Sequence, residues 1–234
     1  MNSKGTGLTL SIGVVIGLIG YILWQLTIGF DTKSDDVVTI LQNSASGATS
    51  VQIASILICV GLVTHVAGLI STRGTAPGTC ETLGITLIVS AIVVWVASSG
   101  LGIALAEMGE KFVAASAGAA AGDAASIAAV GGMQIAAGFT QATNVAISTL
   151  GGLLAGIGWI CIGLAYRGSD AKGLLSFIPL GWLALIQGLI LVVATLIIST
   201  VVSVDTGSQV SGIAFLLITC WSVLRGIKLV QDAN

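Results

Sequence analysis

Apolar residues gather along this chain into six long runs, at 8–30, 51–72, 82–106, 143–166, 174–204 and 208–224, separated by polar or glycine-rich breaks. About 20 residues of helix cross the ~30 Å hydrocarbon layer of a bilayer, so each run is a candidate span. The alternation of ~10-residue strands that marks a membrane β-barrel is absent, which predicts helices. The run 174–204 exceeds one crossing, and tilt or protrusion into the interface absorbs the excess. The run 208–224 is the shortest. Together they predict an all-α integral membrane protein, a six-span helical bundle in which residues 1–234 form a single polytopic domain.

Two stretches between runs are not spans. Residues 31–50 are polar, with a small apolar patch (Val37, Val38, Ile40, Leu41) suited to rest on the membrane interface. Residues 110–140 are dominated by Ala and Gly and lack the bulk of the true spans. Alanine favours helix, while Gly118, Gly122, Gly131, Gly132 and Gly138 interrupt it. The expectation is one or two short Ala/Gly-rich helices on the outer face of the bundle, with a re-entrant loop as the alternative.

Composition fixes the solvent. Only 8% of residues are charged, against roughly 25% in a soluble domain, and the mean hydropathy is +1.07. Membrane lipid is therefore the first partner, and the 32 glycines fit helices whose backbones approach closely. The net charge of −2 and the lack of a Lys/Arg cluster leave no electrostatic footprint for nucleic acid. Four cysteines (Cys59, Cys80, Cys161, Cys220) are scattered without metal-binding spacing.

Charge placement then orients the spans. Lys4, Arg73, Arg167, Lys172, Arg225 and Lys228 fall on one side of the six-span arrangement, and only Lys33 and Lys111 on the other. Cytoplasmic loops retain Lys and Arg, so both termini are expected in the cytoplasm. The first run is too long for a secretory signal and no cleavage-like site follows Phe30, so it reads as a retained helix. Arg73-Gly74, Arg167-Gly168 and Arg225-Gly226 each follow a run on the inner side, as helix stops with arginine at the negative dipole end and glycine at the left-handed position. Ala48-Thr49-Ser50-Val51 and Ala142-Thr143-Asn144-Val145 precede two of these pairs by the same distance, which raises a weak duplication of a helical hairpin.

Candidate chemistry is sparse. His65 is the one ionisable residue deep in a run, and helical spacing puts Ala54, Gly61, Gly68 and Thr72 on its side. That small, polar face predicts packing against another helix, with the imidazole donating one interhelical hydrogen bond; a proton relay or metal ligand is the alternative. Gln187, beside Gly188, is a second buried amide able to join two helices. Gly13 with Gly17, and Gly152 with Gly156, have the four-residue spacing of close helix crossings. Glu107 closes the third run beside Glu110 and Lys111, either lining a mouth or simply reaching water. Trp24, Trp182 and Trp221 lie near run ends as interfacial anchors, whereas Trp95 and Trp159 lie deeper.

No catalytic set, metal cluster or cofactor motif accompanies these residues, so no catalytic, metal or cofactor-binding residue is assigned and a non-enzyme is expected. A coupled transporter places acids or Arg at the midplane, or breaks helices there; Pro77 lies in a loop and Pro179 near a helix start. A channel for a neutral or weakly polar solute demands less. An accessory or scaffold subunit of a larger membrane complex needs only spans, small-residue faces and an ordered outer surface, and that is the expectation. Its partners would be other membrane subunits or identical copies. On this reading, at least one of the two glycine-pair faces should pack against a different protein.

Overall fold

A computed structural model describes residues 3–167, 173–175 and 177–234. Six helices are long and apolar enough to cross a membrane, and no strand occurs among the described residues. The chain is a multi-pass all-α bundle. In order, the elements are α1 (Ser3–Ile28), α2 (Val37–Ser46), α3 (Ala48–Ser71), α4 (Thr79–Ala120), α5 (Ala124–Arg167) and α6 (Leu180–Val193). A π-helical turn (Ala194–Ile198) and the short α7 (Ser199–Val201) finish the fifth crossing, and α8 (Val204–Gln231) makes the sixth.

The spans form a closed circuit: α1 packs on α3 and α8, α3 on α4, α4 on α5, α5 on α6, and α6 on α8. Large side chains fill its middle. Trp159 of α5 meets Trp221 of α8 edge to face at 4.9 Å between centroids, and Tyr166 meets Trp221 at 5.5 Å. Nearer the other end, Phe215 of α8 lies 5.1 Å from Trp95 of α4 and 6.1 Å from Tyr21 of α1. Trp221 is therefore a core residue, not an interfacial anchor. Trp182 does stay half exposed, with the Arg167 guanidinium over its ring.

The Ala/Gly-rich segment departs from expectation. It forms no separate short helices and no re-entrant loop, because α4 and α5 run straight through it for 42 and 44 residues. At 1.5 Å per residue each is about 63 to 66 Å long, roughly twice the hydrocarbon thickness. Their other ends are tied to the loop after α3, Glu81 of α4 to Gly74 and Tyr166 of α5 to Thr75, so the excess lies toward the face opposite the termini as a two-helix arm. Alanine supplies the helix propensity that carries both through, and isolated glycines only weaken it. One glycine breaks the chain: Gly122 takes φ +84° while the Asp123 amide bonds back to the Gly118 carbonyl at 3.0 Å, a left-handed helix stop. Asp123 then caps α5, accepting from the Ser126 amide at 2.8 Å and hydroxyl at 2.6 Å. These bonds hold its carboxyl below the usual range.

Two of the four residues of the patch at 37–41 turn into the protein, while Val38 stays exposed. Asp36 caps α2 through the Thr39 amide and hydroxyl, and Ile40 and Leu41 are buried with Leu105, Ala106, Phe112 and Ala137. Gly109 of α4 lies against the Leu41 carbonyl, which lets α2 sit flat on the root of the arm. One of the three Arg-Gly stops also changes. Gly74 is left-handed at φ +93°, but Gly226 lies inside α8, which continues to Gln231; Gly168 is outside the described residues. Ala48 opens α3 whereas Ala142 falls in mid-α5, so the two similar tetrapeptides do not begin equivalent helices.

Candidate functional site

The buried polar groups of the circuit are where chemistry would reside. In the α1–α3 pair the backbones touch. A Cβ on Gly13 would stand 2.8 Å from the Gly61 carbonyl oxygen, one on Gly61 2.7 Å from the Gly17 Cα, and one on Gly68 2.6 Å from the Leu10 Cα. This close crossing brings His65, 2% exposed, onto α1, where Nδ1 lies 3.1 Å from the Leu10 carbonyl oxygen. A carbonyl only accepts, so Nδ1 carries the proton and the neutral ring keeps a bare Nε2. That nitrogen is buried and has no partner among the described residues. The arrangement is an interhelical tether using one ring nitrogen.

Gly152 and Gly156 play the same part between α5 and the fifth crossing, Gly156 against α6 and Gly152 against the π-helical turn. Cβ atoms there would approach Thr195 Cγ2 to 2.7 Å and the Gly188 carbonyl oxygen to 3.0 Å. Both glycine pairs are thus turned against helices of the same chain, which removes the expectation that one of them meets a different protein. Gln187, next to Gly188, is fully buried, yet neither its amide nitrogen nor its oxygen has a hydrogen-bond partner among the described residues, so the expected interhelical bond is not seen there. An unpaired buried polar group costs about 1–3 kcal/mol, which makes this amide a weak point in the core.

A second polar group, at the end that carries the termini, was not singled out in the sequence. Glu81, 2% exposed in the first turn of α4, accepts from the Gly74 amide at 2.7 Å and the Ala76 amide at 2.9 Å. The carboxylate clamps the loop before its own helix. Between those two residues Thr75 Oγ1 meets the Tyr166 hydroxyl at 2.9 Å, and the half of α8 beside it supplies Arg225, 6% exposed, 5.9 Å from the Tyr166 ring. The available signal was an acid just after Gly78 at a helix start, where the dipole favours it. With both oxygens engaged by backbone amides, Glu81 closes the loop between α3 and α4.

Toward the arm, Ser98 of α4 bonds Asn144 and, at 2.9 Å, Ser148 of α5, while the Trp95 indole donates to the Ser148 carbonyl at 3.3 Å. Glu107 is exposed and pairs with Lys111 at 2.7 Å, which holds its carboxyl low. Among the described residues no group of three His, Cys, Asp or Glu is arranged to hold a metal. The side chains singled out in the sequence are brought together only in pairs, along helix seams. Comparison of the chain with protein-family models, with curated proteins and with solved structures finds no match in any of the three.

Proposed function

We propose that this protein is a non-catalytic subunit that holds a binding arm on a membrane anchor, with both termini in the cytoplasm. The observation that supports it is the arm itself. On α5, Ile127, Ile135 and Phe139 are 53%, 78% and 76% exposed, and a Cβ on the intervening Gly131 or Gly132 would meet nothing within 4 Å. Large apolar side chains beside uncovered glycines, on a helix carried beyond the bundle, suit contact with another membrane protein. The channel reading is disfavoured by the aromatic side chains filling the circuit.

Purification in mild detergent followed by mass analysis tests the proposal. The expected result is a defined stoichiometric partner that is lost from Ile127→Ser/Ile135→Ser while the six helices remain inserted. Recovery of a lone homo-oligomer that passes a small neutral solute would replace this reading with the channel. Thiol labelling of intact cells at Ala125→Cys, but not at Thr79→Cys, in a background without native cysteines is expected from the orientation.

A further inference from the structure

The four thiols are free: Cys59 and Cys161 are half-buried, Cys80 and Cys220 exposed. Two of them share a seam. Toward the inner ends of α4 and α5 the backbones touch, where a Cβ on Gly84 would stand 2.8 Å from the Gly158 carbonyl oxygen and one on Gly158 3.0 Å from that of Gly84. The helices are antiparallel, since Trp95 meets Ser148 further out while Thr75, ahead of α4, meets Tyr166. One turn back from Gly84 and three residues on from Gly158 therefore lead to the same level, at Cys80 and Cys161.

Both cysteines also lie on one flank of that seam. Glu81 and Ile85 of α4, and Trp159 and Tyr166 of α5, turn into the protein and are buried. Helical spacing puts Cys80 and Cys161 on the other side of the Gly84–Gly158 line, toward the outside of the bundle. Their thiols are near enough to interact electrostatically. A disulfide needs Cα atoms about 4.4–6.8 Å apart, a separation that helices in backbone contact one turn away can supply.

We propose that Cys80 and Cys161 form a redox-sensitive dithiol, which a peroxide converts to an intrachain disulfide. Cys80, exposed in the first turn of α4, meets the peroxide first. Its thiolate attacks one peroxide oxygen, becoming a sulfenic acid as the other oxygen takes a proton and leaves as water. The Cys161 thiolate then attacks that sulfur, and the sulfenic oxygen takes a proton and leaves as a second water. The two thiols are oxidised by two electrons and the peroxide is reduced by two. The new bond braces α4 and α5 at the end opposite the arm. This inference is independent of the partner reading.

The test treats the full-length protein in mild detergent with hydrogen peroxide, then alkylates the remaining thiols and maps the peptides by mass. The expected result is a Cys80–Cys161 link within one chain, undone by dithiothreitol, with a melting temperature several degrees higher in the oxidised form. Cys59→Ser/Cys220→Ser should keep both responses, and Cys161→Ser should lose both while Cys80 is trapped by dimedone as the sulfenic acid. Both thiols still free after peroxide, a link to Cys59 or Cys220, or a disulfide between two chains overturns the proposal. So does Cys80 carried on to the sulfinic acid beside an unreacted Cys161.

Discussion

The bundle and the arm use glycine for opposite reasons. Between α1 and α3, glycine stands where any Cβ would strike the facing backbone, as Gly61 does against Gly17. Without a hydrophobic force between helices in lipid, that contact is itself the source of cohesion. In the arm, Gly131 and Gly132 face open space and Gly122 serves the turn. One set is required by packing, whereas Gly131 and Gly132 cost helix stability with no visible return within the described residues. On the arm the two open glycines are adjacent and flanked by exposed Ile127, Ile135 and Phe139, whereas the open glycines of the bundle, Gly100 and Gly212, stand singly.

The largest expected effect tests that contrast directly. Gly13→Ala places a methyl group 2.8 Å from the Gly61 carbonyl oxygen and the His65 Cα, neither of which can rotate away, so thermal unfolding should show a loss of at least about 1–3 kcal/mol. Gly131→Ala should instead stabilise the arm by about 0.5–1 kcal/mol, read by hydrogen exchange of the α5 amides in the isolated protein. Gly17→Ala belongs between them, since its Cβ would make ordinary contact with Leu62, at 3.6 Å to Cδ2 and 3.7 Å to the backbone nitrogen. Equal effects at Gly13 and Gly131 would erase the distinction.

A smaller effect concerns the tether across the close pair. His65→Asn keeps a donor able to reach the Leu10 carbonyl and should remain within about 1 kcal/mol of the parent. His65→Leu loses the bond and adds bulk beside Gly61 and Gly68, so it should melt earlier than the Asn variant. If His65→Asn kept its melting temperature but lost partner assembly or a measurable activity, the residue would be functional and not merely a tether.

The smallest effect lies at the arm tip. Asp123 has a lowered pKa when folded, so the stabilisation it gives the α5 cap is present above the ordinary aspartate range and is lost as pH falls through the lowered value. Exchange of the Ser126 amide should accelerate over that acid window, and Asp123→Asn should flatten the dependence. The buried helix pairs carry no such carboxylate and should show no matching change; a parallel acid response in α1 and α3 would mean that the arm is not an independent unit.

Much of the architecture was legible without coordinates. Apolar run length alone separates six crossings, because the bilayer imposes a minimum length and excludes unpaired backbone. The small face around His65 also marked a helix contact correctly, since helical spacing puts Gly61 and Gly68 on its side. The fate of residues 110–140 was less legible: alanine-rich sequence suits a short surface helix and the continuation of a span equally well, and the choice depends on whether α4 and α5 find each other along their whole length.

Sequence by itself determined that the chain is helical and membrane-spanning, because both follow from hydrophobicity summed over a window. Only the tertiary structure decided what each small or polar residue meets. Gly152 and Gly156 turn inward against the fifth crossing, Gln187 has no hydrogen-bond partner among the described residues, and Glu81 closes a loop. A residue's own chemistry and spacing place it on a helix face, but which helix covers that face, at which height, is set by the packing of all six at once.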